Sequence, residues 1–182
     1  MMGNLSKHFT EEELKKIHLE KDLYLKAKMI VDVLFKDQKD KAGKPYIGHL
    51  YRVSEKLYDN NEKIAALLHD TLEDTAITEN DLVVLGIPTE IIEIVKLVTK
   101  PEIDTSNMTK EEKLKLYSDE IDSIINSGNI HAIRLKLADM SDNYNKDRLK
   151  ELPPEKQQWF EEKYGKQLIK LMRVTERKKK IW

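Results

Sequence analysis

Five consecutive apolar residues, Ile64-Ala-Ala-Leu-Leu68, run directly into His69-Asp70-Thr-Leu-Glu73-Asp74. A helix that is apolar all round is a buried helix, so this segment belongs in a core. Yet it ends in four ionisable groups. His69 and Glu73 are spaced i,i+4, and so are Asp70 and Asp74, so each pair shares a helix face. Buried carboxylates are costly unless paired or bound to a metal. Two readings stand at this point: a helix end emerging into solvent, or a site. Adjacent His69 and Asp70 reach one point together only at a helix turn or end, which is where they fall.

The rest of the chain reads as helix too. Only 6 Gly and 5 Pro occur in 182 residues, and Leu, Lys, Glu, Ile and Asp dominate, which favours helices over strands. Thr10-Glu-Glu-Glu13 is a capping box opening a first helix that the apolar spacing carries to about Phe35. Lys36 to Pro45 is polar, contains Gly43 and reads as a loop. Helices are predicted over 46–58, over 62–72, and over 91–98 after Pro88. A helix of about 17 residues follows, capped by Thr109 with Glu112 in the capping-box position, then helices over 130–143 and 155–178. The last is expected to pack through Trp159, Leu168, Leu171 and Met172. The expected fold is all-α, a single domain over 1–182 with about eight to ten helices.

A second segment, Ile130-His-Ala-Ile-Arg-Leu-Lys-Leu-Ala-Asp139-Met-Ser-Asp-Asn143, is mostly apolar around Asp139. A carboxylate there is expected to be partly buried, with Asn143 on the same face. A local ion pair to Lys136 would explain it equally. The third element is Tyr46-Ile-Gly-His49, which puts a histidine at the start of a helix. His8, His18 and His131 have no carboxylate at useful spacing and read as structural or exposed. His49, His69, Asp70 and Asp139 therefore come from three helices. Mixed imidazole and carboxylate ligation suits a borderline or hard divalent ion such as Mn²⁺, Fe²⁺ or Zn²⁺.

Composition narrows the chemistry. Lys plus Arg is 32 and Asp plus Glu 33, a net charge of −1, which argues against coating a nucleic-acid polymer. There is no cysteine, which excludes disulfides, Cys-ligated zinc, iron–sulfur clusters and thiol catalysis and suits a reducing cytoplasm. No apolar run reaches the ~18–20 residues of a membrane span, and the polar N-terminus lacks the apolar core of a signal peptide. A cytoplasmic protein is expected, with no membrane partner; its oligomeric state stays open.

The ordered set H…HD…D resembles the HD superfamily of metal-dependent phosphohydrolases. Longer stretches narrow the likeness: Ala42-Gly-Lys-Pro-Tyr-Ile-Gly-His49, Ala66-Leu-Leu-His-Asp-Thr-Leu-Glu-Asp-Thr75, Val95-Lys-Leu-Val-Thr-Lys100 and Leu135-Lys-Leu-Ala-Asp-Met-Ser-Asp-Asn143. These resemble the hydrolase domain of the RelA/SpoT family and the stand-alone small alarmone hydrolases, from about residue 24 to 172. The resemblance implies one divalent ion, Mn²⁺ first, with Fe²⁺, Co²⁺ or Zn²⁺ as alternatives, held by His49, His69, Asp70 and Asp139. It implies that Glu73 and Asp74 match a catalytic pair assisting the attacking water and the leaving group. Asn143 matches an asparagine at the nucleotide, Lys41 matches a basic residue of the base-binding loop, and Tyr46 is expected at the substrate with them. The implied reaction removes the 3′-pyrophosphate from guanosine tetra- or pentaphosphate, a small nucleotide substrate.

Departures concentrate in the loop before Pro45. The family form is roughly H-x-x-Q-x-R-K-x-G. Here Phe35 stands for the histidine, Gln38 is kept, Asp40 stands for the purine-contacting arginine, and Lys41 remains. Met140 replaces a basic residue after Asp139. Lys44, Lys100, Lys136, Lys146 and Arg148 are candidates to restore positive charge. The alternatives to the guanosine alarmone are another nucleotide or nucleoside phosphate, a nucleotide-binding module without turnover, and a helical interaction protein with neither metal nor nucleotide.

Overall fold

The computed structural model describes residues 4–40 and 43–179, with the side chains of 148, 178 and 179 left aside. Among the described residues the fold is all-α: no strand forms, and one isolated antiparallel bridge joins Lys39 to Pro45. The helices are α1 (Glu11–Leu19), α2 (Leu23–Leu34), α3 (Ile47–Glu55), α4 (Asn60–Leu68), α5 (Thr71–Asp74), α6 (Glu79–Val84), α7 (Thr89–Val98), α8 (Lys110–Asn126), α9 (Ile130–Asn143), α10 (Lys146–Leu149) and α11 (Pro154–Lys179). Two of the eleven, α5 and α10, are single turns of four residues, so the longer helices fall within the expected number. No described helix is long and apolar enough to cross a membrane.

The chain forms two compact units, residues 1–99 and 100–182. In the first, α4 is central and packs against α2, α3 and α7, while α1 lies on α2 and α6 on α7. Neighbours on several sides explain why α4 carries no polar stripe in its second half: Ile64, Ala65, Ala66, Leu67 and Leu68 are all 0% exposed. In the second unit α11 packs on α8 and α9. Its buried stripe is Phe160, Tyr164, Leu171 and Thr175. Of the stripe expected through Trp159, Leu168, Leu171 and Met172, Leu171 is fully buried, Trp159 and Leu168 are half-buried, and Met172 is 49% exposed. One residue is about 100° of rotation on a helix, so Met172 turns away from the face that buries Leu171. Stacking of Phe160 on Tyr164 (centroids 5.5 Å apart) and the edge contact of Tyr164 with Tyr117 (5.5 Å) set the observed rotation.

The capping boxes at Thr10 and Thr109 are both present. The single helix expected from Thr10 to about Phe35 is two. Asp22 accepts from the N–H groups of Tyr24 and Leu25 at 2.9 and 3.0 Å, starting α2 afresh. An Asp N-cap outweighs unbroken apolar spacing because it satisfies otherwise orphan donors. Helix α6 had no apolar period to announce it. It rests on a third capping box, Thr78 with Asp81, and ends in a Schellman motif: Gly86 N–H donates to Val83 O (3.0 Å) and Ile87 N–H to Leu82 O (3.0 Å). Gly86 has φ +84° there, and a Cβ would stand 2.8 Å from Lys26 Nζ.

Candidate metal centre

The helix that begins at Asn60 stops at Leu68, and a new turn begins at Thr71. Between them His69 is helical (φ −60°, ψ −30°) but Asp70 is not (φ −96°, ψ 0°), in the sparsely allowed bridge region. In an unbroken helix consecutive side chains diverge by about 100°; the break brings these two together. Side chains cover the carbonyls it exposes. His69 Nδ1 lies 2.8 Å from Ala66 O, and Thr71 Oγ1 donates to Leu68 O at 2.6 Å.

His49, in the first turn of α3, completes a cluster with His69 and Asp70. One ligand atom from each lies within 4.8 Å of the others, and all three residues are buried. Nε2 of His69 is 3.0 Å and Nε2 of His49 3.9 Å from Asp70 Oδ2, and the imidazole centroids are 5.4 Å apart. The donor set fits a divalent ion on its own chemistry. A carbonyl oxygen only accepts, so the contact with Ala66 O assigns the proton of a neutral His69 to Nδ1 and leaves the Nε2 lone pair toward the carboxylate. That is the tautomer a metal-ligating histidine needs, with its second nitrogen fixed by a backbone carbonyl. A lone pair and a carboxylate oxygen 3.0 Å apart repel unless a positive charge lies with them.

Tyr46 precedes α3, and its phenol donates to Asp70 Oδ2 at 2.6 Å. Behind it lies Phe35, fully buried and stacked on the Tyr46 ring at 5.6 Å. Position 35, where the family carries a histidine, is thus a support for Tyr46. Glu73 is half-buried and Asp74 exposed on the turn after the break; Gln38 Nε2 donates to Asp74 O at 3.1 Å. Asp40, the departure that reverses a family charge, braces its own loop: its Oδ1 accepts from Lys44 N–H at 2.9 Å, and its N–H donates to Lys44 O at 2.7 Å. Gly43 supplies the φ of +79° that this turn needs. Lys41 lies outside the described residues.

The remaining predicted residues belong to the second unit. Asp139 is buried on α9. Its Oδ1 accepts from Asn143 Nδ2 at 2.6 Å, and its Oδ2 lies 3.2 Å from Lys136 Nζ. The local ion pair to Lys136 that the sequence offered as the alternative to a site role therefore forms, beside the Asn143 contact. Met140 is 0% exposed, a position that suits an apolar side chain better than the family's basic one.

No family model matches the chain. It is 35% identical over 118 residues to a Mycoplasma pneumoniae protein named as a probable guanosine-3′,5′-bis(diphosphate) 3′-pyrophosphohydrolase; the match covers 59% of this chain and 16% of that one. It is 31% identical over 164 residues to the Mycoplasma genitalium protein of the same name, covering 86% of this chain and 21% of that one. The chain thus spans about a fifth of the length of these curated relatives. Among solved structures it shares the fold of a metazoan ortholog of SpoT described as hydrolysing ppGpp. The TM-score is 0.61 at 22% identity, over 87% of this chain and 97% of that one. The chain is thus similar in sequence to one stretch of these mycoplasmal proteins, and in fold to the metazoan SpoT ortholog.

Proposed function

We propose that the chain is a divalent-metal-dependent hydrolase that converts guanosine 3′,5′-bis(diphosphate) to GDP and pyrophosphate, the activity in the names of its mycoplasmal relatives. The observation that carries it is the convergence of His49, His69 and Asp70 at the break after α4. These three would hold the ion, Mn²⁺ by family resemblance, and Asp139 is proposed as the fourth ligand, with 1–182 acting as one hydrolase domain in the cytoplasm. When bound, a divalent ion lowers the pKa of a water towards about 7–9 and offsets charge on phosphoryl oxygens.

The chain's own carboxylates do the rest. Glu73, one turn beyond His69, is assigned to orient the attacking water and accept its proton. Asp74 is assigned to the departing 3′-oxygen, and Asn143 and Lys41 to the nucleotide. Asn143 also steadies Asp139 through the 2.6 Å contact.

Purified protein with Mn²⁺ is expected to release pyrophosphate from guanosine tetraphosphate and not from simple nucleoside mono-, di- or triphosphates or from nucleoside 2′-phosphates. Turnover of the others alone overturns the substrate and keeps the hydrolase. No turnover with Mn²⁺, Co²⁺, Zn²⁺ or Mg²⁺ overturns both. One observation favours the second reading, another phosphorylated nucleoside: position 40 offers a loop-bracing carboxylate where the family places a cation.

A further inference from the structure

Resting on the assignment of His49, His69 and Asp70 as metal ligands, we propose that Tyr46 is a positioning residue of that centre: its phenol fixes the direction of the Asp70 carboxylate, and Phe35 fixes the phenol. Sequence resemblance placed Tyr46 at the substrate; the geometry gives it different work.

Asp70 sits where the helix is interrupted, in a backbone conformation outside the regular helix, and its side chain makes no helix-capping bond. The direction of its carboxylate must therefore come from side-chain neighbours. The Tyr46 hydroxyl donates to its Oδ2 at 2.6 Å. The phenol is itself held on several sides. Its ring stacks on fully buried Phe35 at 5.6 Å with planes 24° apart, and faces the His49 ring at 5.5 Å. Its backbone N–H donates to Gln38 O at 2.9 Å, and its carbonyl accepts from His49 N–H at 2.8 Å. One tyrosine thus ties the loop before α3, the first histidine and the aspartate into a single arrangement.

Valence argues against direct substrate recognition. A phenol has one proton to donate, and here it goes to Asp70. A phosphate at neutral pH offers the site acceptor oxygens, so Tyr46 cannot donate to it while keeping the Asp70 bond. Outer groups that orient ligands in this way typically change metal affinity by about 10–100-fold when removed.

Tyr46→Phe keeps the ring and its stacking and removes only the hydroxyl. Metal-free protein should melt at the wild-type temperature, while calorimetric titration with Mn²⁺ should show affinity weakened about 10-fold or more. The visible absorption of the Co²⁺-loaded variant should shift, and KM for guanosine tetraphosphate at saturating Mn²⁺ should stay within about twofold. Phe35→Leu, which keeps the hydroxyl but frees the ring, should lose affinity in the same direction by a smaller factor. Unchanged or tighter Mn²⁺ binding with an unchanged Co²⁺ spectrum overturns the proposal alone, as does a raised KM with unaltered metal affinity. Wild-type protein that takes up neither ion overturns the metal assignment, and this proposal with it.

Discussion

His69 illustrates how much one side chain is committed before any ligand arrives. Its Nδ1 is tied to Ala66 O and its Nε2 faces Asp70. His69→Ala removes a ligand and uncovers a buried carbonyl, so Mn²⁺ uptake and pyrophosphate release are expected to fall below detection in elemental analysis and turnover assays. Retained metal and full turnover would sink the assignment. At this scale the sequence was legible where a residue's chemistry is unusual for its surroundings: two ionisable neighbours at the end of an apolar run stood out as either a solvent-facing helix end or a site, and their burial excludes the first. Phe35 and Asp40 could be recognised as departures, but not what they do. An apolar ring under a tyrosine and a carboxylate turned back on its own loop are outcomes of tertiary placement, which no spacing encodes. Asp139 was legible in kind, since both the ion pair with Lys136 and the shared face with Asn143 follow from i,i+3 and i,i+4 spacing.

Among the helices, the 17 residues of α8 and the span of α9 were read correctly, because a capping residue and a clear break both mark them. Helix α6 was not, because six residues are too few to show a period. Its stability comes from its ends. Asp81 Oδ2 accepts from Thr78 N–H and Oγ1 and from Asn4 Nδ2 at 2.7 to 2.9 Å. Burial alone would push this carboxyl up; the bonds from Thr78 and Asn4 outweigh it and hold it below the ordinary aspartate range. A depressed folded-state value means that this stabilisation is complete above the unfolded aspartate's range. It is then lost as pH falls through the folded value. Thermal melts between about pH 7 and pH 2 should therefore show Asp81→Asn less stable than wild type at neutrality, with the gap closing in acid. A gap that stays constant down to the lowest pH would contradict it.

For the molecule as a whole, all-α architecture followed from composition and periodicity, but the division into two compact units did not. Which helices gather together depends on long-range packing, and the polar stretch from 101 to 109 resembled any other loop in the sequence. A ligand that binds only the folded state stabilises it by mass action. Mn²⁺ at about 100 times its dissociation constant is expected to add about 2.7 kcal/mol, seen as a raised melting temperature that Asp70→Ala abolishes. An equal rise in the variant would show that the ion acts elsewhere. The wholly enclosed stretch from Ile64 to Leu68 gives this a further consequence. Two of the proposed donors, His69 and Asp70, follow directly on that enclosed stretch, so pulling them apart would disturb the interior beside them. If the proposed ion binds there, a chelator should be felt far from the cation, as a softening of the helices packed around α4.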